Sequence, residues 1–190
     1  MTDLGQNVFI EVNDGEFMMT DWSKYRRIHA RVNGMDAQTR VTGTAPTFEV
    51  AIDGTDVVVT RVQGHVLLVR HDCWVVSGTE TSDLLQHEQG HYYITYIPYV
   101  QALQAIRLLR APIATAHIPS TPGRGQQTHM HNAMIHLVQS ILSDAQARMS
   151  QLTFQYDAQD PPGTNHGRNR PEQAVWNQRF AASLASGSVL

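Results

Sequence analysis

The segment His87-Glu88-Gln89-Gly90-His91 places two imidazoles four residues apart, with a carboxylate directly after the first. On a helix, residues i and i+4 share one face about one turn apart. Two histidines so placed can hold one tetrahedral zinc ion, with Zn–N distances of about 2.0–2.1 Å. Glu88 then emerges beside the metal rather than on it. There it suits a general base that takes a proton from a zinc-bound water and later passes it to a leaving amine. Chance places this HExxH pattern somewhere in a chain of this composition about 2 % of the time, so coincidence is a weak rival. A structural alternative makes His87 and His91 core histidines and Glu88 a surface charge.

Two histidines do not complete a catalytic site; a third protein ligand is needed. Ile94 and Ile97 stand where a metzincin continuation needs Gly and His, which removes that class. Glu172 is the only glutamate after the motif, and it falls in the first turn of a helix, where a carboxylate is favourable for dipole reasons. The other downstream candidates are Asp144, Asp157, Asp160, His117, His129, His131, His136 and His166. On a helical wheel His129 and His136 fall opposite the apolar stripe, and His131 lies at its edge. His166 sits in a loop between two helices, a place that often carries ligands.

These residues need elements to position them. Phe48 to Ile52 and Asp56 to Val62, joined by Asp53-Gly54, read as a hairpin, and a third strand is expected from His65 to Val76 after Gln63-Gly64. Ser77 and Glu80 form a capping box ahead of a helix that starts near Thr81 and carries the motif. Pro98 is expected to kink or end it, with Val100 to Leu109 as a second helical piece. Residues 111 to 126, with Pro112, Pro119, Pro122, Gly123 and Gly125, read as a loop. A long helix over roughly 127 to 155 follows, its stripe formed by Met130, Met134, Leu137, Val138, Ile141, Leu142, Ala145 and Met149. Pro171 opens a last helix with Ala174, Val175, Trp176 and Phe180. Residues 1 to 46, with the turn Asn13-Asp14-Gly15, are the least regular, and 183 to 190 should fray.

At 190 residues the chain is expected to form a single domain over 1–190 with one hydrophobic core. A formal net charge of −3 argues against nucleic acid as the main partner. No apolar stretch reaches the length of a membrane span. The first residues lack the basic and apolar runs of a signal peptide, which reads as cytoplasmic. The lone Cys73 forms no internal disulfide and reads as a small core residue.

The blocks His87-Glu88-Gln89-Gly90-His91-Tyr92 (after Ser82-Asp83-Leu84-Leu85-Gln86), Tyr156-Asp157, Thr164-Asn165-His166-Gly167, Gln173 and Trp176 occur in one order. In that order they resemble an uncharacterised bacterial family of predicted secreted zinc-dependent proteases. The resemblance covers about the C-terminal 110 residues. It implies that His166 is the third zinc ligand, that Asp157 is its partner or an alternative ligand, and that Tyr156 donates a hydrogen bond to the oxyanion. It also implies a secreted or periplasmic location. Tyr93 departs from the acidic residue often found there, and Pro161-Pro162 lengthens the loop before the last block.

The leading expectation is an α+β, zincin-like fold: a twisted antiparallel sheet packed on the HExxH helix and a long backing helix. Its function would be that of a zinc metallopeptidase acting on a peptide or protein substrate, with Glu88 and Tyr156 catalytic and His87, His91 and His166 on Zn2+. The strand from His65 to Trp74 is the candidate for pairing with substrate. Hydrolysis of another amide or a cell-wall substrate is the second reading, and a non-catalytic zinc-binding scaffold the third.

Overall fold

Val-rich alternation, turn glycines and two long helical periods set the element order. A computed structural model describes residues 2–3, 8–13, 22–116, 118 and 123–190. His117, Asp14, Gly15, Pro119 and Pro122 lie outside the described residues. The strands are β1 (Thr2–Asp3), β2 (Val8–Asn13), β3 (Arg26–Ile28), β4 (Ala37–Gln38), β5 (Val41–Gly43), β6 (Thr47–Asp53), β7 (Asp56–Leu68), β8 (Trp74–Val76) and β9 (Arg110–Pro112). The helices are α1 (Ser82–Arg107), the single turn α2 (Ile113–Ala116), α3 (Arg124–Asp157) and α4 (Arg170–Ser186). The class is α+β. No helix among the described residues is long and apolar enough to cross a membrane.

The described residues gather into two units, the first comprising those within 1–11, 44–65 and 99–147. In it β6 pairs antiparallel with β7 across the Asp53-Gly54 turn, where Gly54 has φ +62°, and β9 pairs antiparallel with the start of β7. Val57, Val59 and Val62 of β7 are fully buried, as are Leu103 and Ile106 of α1. Met130, Met134 and Val138 carry the expected stripe of α3, whereas Leu137 is 40 % exposed. A helix stripe drifts as the burying surface curves, so its flank emerges into water.

Two expectations in this unit change. The strand does not break at Gln63-Gly64, because β7 runs through it. Gly64 serves a close approach instead: a Cβ there would lie 2.2 Å from the Tyr99 hydroxyl, which donates to the Thr44 carbonyl at 2.7 Å. The segment read as a loop from 111 also begins with β9 and α2, since residues 110–112 find a partner strand that no local pattern announces.

The second unit comprises residues 12–43, 66–98 and 148–190. Here β8 lies between β3, parallel to it, and β4, antiparallel to it, so the pairing is mixed rather than purely antiparallel. The end of β7 pairs with β5, and a 3-10 turn at Arg70–Asp72 splits the expected third strand. Tyr25, Ala37, Leu68, Cys73, Val75 and Leu84 form one core cluster. A second joins Ile94 and Ile97 of α1, Leu152 and Tyr156 of α3, and Trp176 and Phe180 of α4. Thr81, not Ser77, caps α1: its hydroxyl accepts from the Leu84 N–H at 3.1 Å. Glu80 reaches back to the Gly78 N–H instead, one turn too early to begin the helix. Pro98 stays within α1, where it removes only one intrahelical donor and leaves the rest of the ladder to continue.

Gly64→Ala should cost about 1–3 kcal/mol by overpacking, read from denaturant midpoints. The same substitution in a Tyr99→Phe background should cost less, because the atom that the new methyl meets first is gone. Additive losses would show that the close approach does not constrain β7.

Candidate metal centre

The site lies wholly in the second unit, and α1 supplies its first three side chains. His87 and Glu88 are buried and His91 is partly exposed, so one face of the helix carries polar groups into the interior. The last turn of α3 brings Asp157 to the same place. Its Oδ1 lies 3.3 Å from His87 Nε2 and 3.2 Å from His91 Nε2, and the two Nε2 atoms are 3.2 Å apart.

Thr164 sets the tautomer of His87. Thr164 is fully buried, and its hydroxyl donates to the Tyr156 carbonyl at 2.9 Å. A hydroxyl has one proton, so toward His87 Nδ1, 2.8 Å away, Thr164 Oγ1 can only accept. His87 is therefore protonated on Nδ1, and its Nε2 carries a bare lone pair. Burial pushes the His87 imidazole down to about 4, so the ring stays neutral at neutral pH. Asp157 Oδ1 is buried without a hydrogen-bond partner despite the nearby imidazoles. Burial works against the ionised Asp157, yet His87 and His91 together hold its carboxyl well below the usual carboxylate range. For His91, burial favours the neutral ring, but Asp157 outweighs it and raises the value.

Three electron-rich atoms in one triangle fit a cation. Ligand atoms on a tetrahedral zinc at about 2.0–2.1 Å stand about 3.3–3.4 Å from one another. The 3.2–3.3 Å edges of this triangle match that spacing. Among the described residues, His87, His91 and Asp157 are the group able to hold a metal ion.

The supports behind the triangle are aromatic and local. Tyr156 stacks flat on the His87 ring, with centroids 4.6 Å apart and planes at 1°. Its hydroxyl donates to the His87 carbonyl at 3.0 Å and accepts from Gln173 Nε2 at 2.8 Å. That hydroxyl is fully buried and committed to the scaffold, so the oxyanion part expected of Tyr156 has no geometric support. Gly90 makes the approach possible, since a Cβ there would lie 2.0 Å from the Tyr156 hydroxyl. The spacing of the two histidines by itself gives Gly90 no role. A glycine at a buried helical position was the available signal.

Glu88 is buried too, and Thr39, through its hydroxyl and its backbone, hydrogen-bonds the carboxylate. Thr39 in turn shares a 2.6 Å hydrogen bond with Tyr25. Glu88 Oε2 has no hydrogen-bond partner. Burial raises the Glu88 carboxyl, with Asp157 adding to the rise and His91 opposing it. Nothing in the sequence points to Thr39: it precedes the motif by many residues, in a segment without periodicity.

A cavity of about 360 Å³ opens beside these groups, its wall including Glu88, His91, Asp157, His166 and Thr39. The run from Ala37 to Val41 forms one side, and β4 and β5 are terminal strands of their sheets. This run, rather than His65 to Trp74, lines the cavity. In the sheet order β7 lies between β2 and β5, and Trp74 is paired with both β3 and β4, so His65–Trp74 is not a terminal strand. His166 lines the cavity, its ring 5.2 Å from that of His87, but it is not in the ligand triangle. Of the remaining candidates, His131 stacks on Phe48 in the first unit. His129, His136, Asp144 and Asp160 are exposed, and Glu172 sits in the first turn of α4.

The raised Glu88 value means that the folded metal-free chain holds a proton that the unfolded chain releases, so its contribution to stability grows as pH falls through that interval. Above the interval the buried carboxylate is a cost. Glu88→Gln should therefore stabilise the metal-free protein by about 1–3 kcal/mol at neutral pH, with the gain shrinking as pH falls. Thermal melts across pH read this directly, and an equal gain at every pH would contradict it.

No family model, curated protein or solved structure matches the chain. What the site can do therefore rests on its own atoms.

Proposed function

We propose that this protein is a zinc-dependent metallopeptidase of zincin-like architecture, with the ion held by His87, His91 and Asp157. The observation that carries the reading is the triangle of lone-pair atoms with an unpartnered Glu88 oxygen beside it. Two neutral imidazoles and one carboxylate suit zinc, and three protein ligands leave a position for chemistry. A zinc ion there would supply Lewis acidity, both to a water molecule and to the carbonyl under attack.

The chain's own groups supply the rest. Glu88 Oε2 accepts the proton of the attacking water, and its raised affinity for protons suits a base that must then hold and return one. The proton passes to the amide nitrogen as the C–N bond breaks, leaving a carboxylic acid and an amine. Thr39 hydrogen-bonds the Glu88 carboxylate, while its Oε2 is left without a partner. The terminal-strand run Ala37–Val41 can take the backbone of an extended peptide as an added strand, which favours peptides over other amides. A structural metal site would need no buried base, so the energetic cost of burying Glu88 argues against a scaffold.

Metal analysis by plasma mass spectrometry should find one zinc per chain in wild type and none in His87→Ala or Asp157→Ala. Glu88→Gln should keep its zinc while peptide hydrolysis falls about 100- to 10,000-fold. Failure of wild type to retain zinc after add-back would defeat the reading, as would full activity in Glu88→Gln. Thr164→Val removes the acceptor that sets the His87 tautomer and should weaken zinc binding about 10- to 100-fold in chelator competition. Unchanged affinity there would separate the tautomer lock from metal binding.

A further inference from the structure

We infer that His166 is a catalytic residue that donates a hydrogen bond to the substrate carbonyl oxygen as that oxygen gains negative charge. The inference rests on the peptidase reading and gives this histidine a part distinct from metal ligation. His87, His91 and Asp157 form a group able to hold the ion that does not include it. Yet the His166 ring lines the same cavity as Glu88, His91 and Asp157, turned 67° to the His87 ring. Among the described residues no group hydrogen-bonds its ring nitrogens, so an N–H is available to a ligand.

The backbone holds the ring there with unusual insistence. Asn165 and His166 both adopt positive φ, +48° and +51°, and Gly167 follows at +76°. Non-glycine residues rarely sit in this region, and consecutive ones persist only where the surroundings over-determine them. Here they do. The Asn165 N–H donates to the Ala158 carbonyl at 3.0 Å, and the Asn169 N–H to the Thr164 carbonyl at 2.9 Å. Gly167 is pressed on α1, where a Cβ would lie 2.6 Å from the Asp83 carbonyl oxygen. One residue further on, Arg168 Nη2 reaches Asp36 Oδ2 at 2.9 Å, which ties the loop to the residue just before β4. The same loop thus locks His87 through Thr164 and places His166 on the wall of the cavity that the Ala37–Val41 run also lines. A donor fixed in advance where charge develops is what lowers an acyl-transfer barrier.

The test uses zinc-loaded wild type, His166→Ala and His166→Gln against the best-cleaved member of a fluorescence-quenched peptide library. His166→Ala should keep the wild-type zinc content and chelator-competition affinity. Its kcat should fall about 100-fold with KM little changed. His166→Gln, which restores an N–H donor, should recover part of the loss. A drop in zinc affinity in either variant would make His166 a ligand and overturn the inference. Wild-type kcat in His166→Ala would make it a bystander and overturn it equally. Zinc-loaded wild type that cleaves no peptide would instead defeat the peptidase reading, and this inference with it.

Discussion

Three potential ligand atoms are held 3.2–3.3 Å apart, and the second unit is organised to keep them there. His87 is the pivot. Its ring is clasped by the flat Tyr156 on one face and by Thr164 at Nδ1, so neither its rotamer nor its tautomer is free. Tyr156 is fixed by the His87 carbonyl and Gln173, and Thr164 by the Tyr156 carbonyl. The support forms a closed ring of contacts. Each member has its polar groups satisfied only when the others are in place, which is how a buried polar network acquires a single geometry.

Against that rigid base, two groups stand unsatisfied: Asp157 Oδ1 and Glu88 Oε2. Native interiors leave few polar atoms unpaired, and those that remain ask for an explanation. Under the proposed function one faces the metal and the other the water's proton. The rings of Tyr156, Trp176 and Phe180 pack against one another, and Tyr156 stacks on His87.

Much of the site's chemistry was legible in one helical turn. The spacing of His87 and His91 is a local property of α1, and Glu88 follows from it. Gly90 carries a further local trace, since a buried glycine in a helix marks a close neighbour. The long period of α3 was equally plain, though its last turn proved more important than its stripe, because that turn delivers Asp157. The strands were harder to bound. Gly64 reads as a turn and is a contact; the His65–Val76 segment reads as one strand and is interrupted by a 3-10 turn.

Local spacing determined the helix, its two imidazoles and the adjacent base, because i and i+4 neighbours meet whatever the rest of the chain does. Tertiary structure alone decided which distant residues join them. Asp157 and His166 are only nine residues apart and equally suited to metal by type. The αL turn at Asn165-His166 sends one ring along the cavity wall, while the helical geometry of α3 brings the other's carboxylate to the triangle. Thr39 is the extreme case. A threonine ahead of the motif, in a segment with no pattern, holds the base because β4 pairs with β8 and leads the chain past Glu88. Strand pairing between remote segments depends on register and burial summed over the whole fold, and no window of sequence contains that sum.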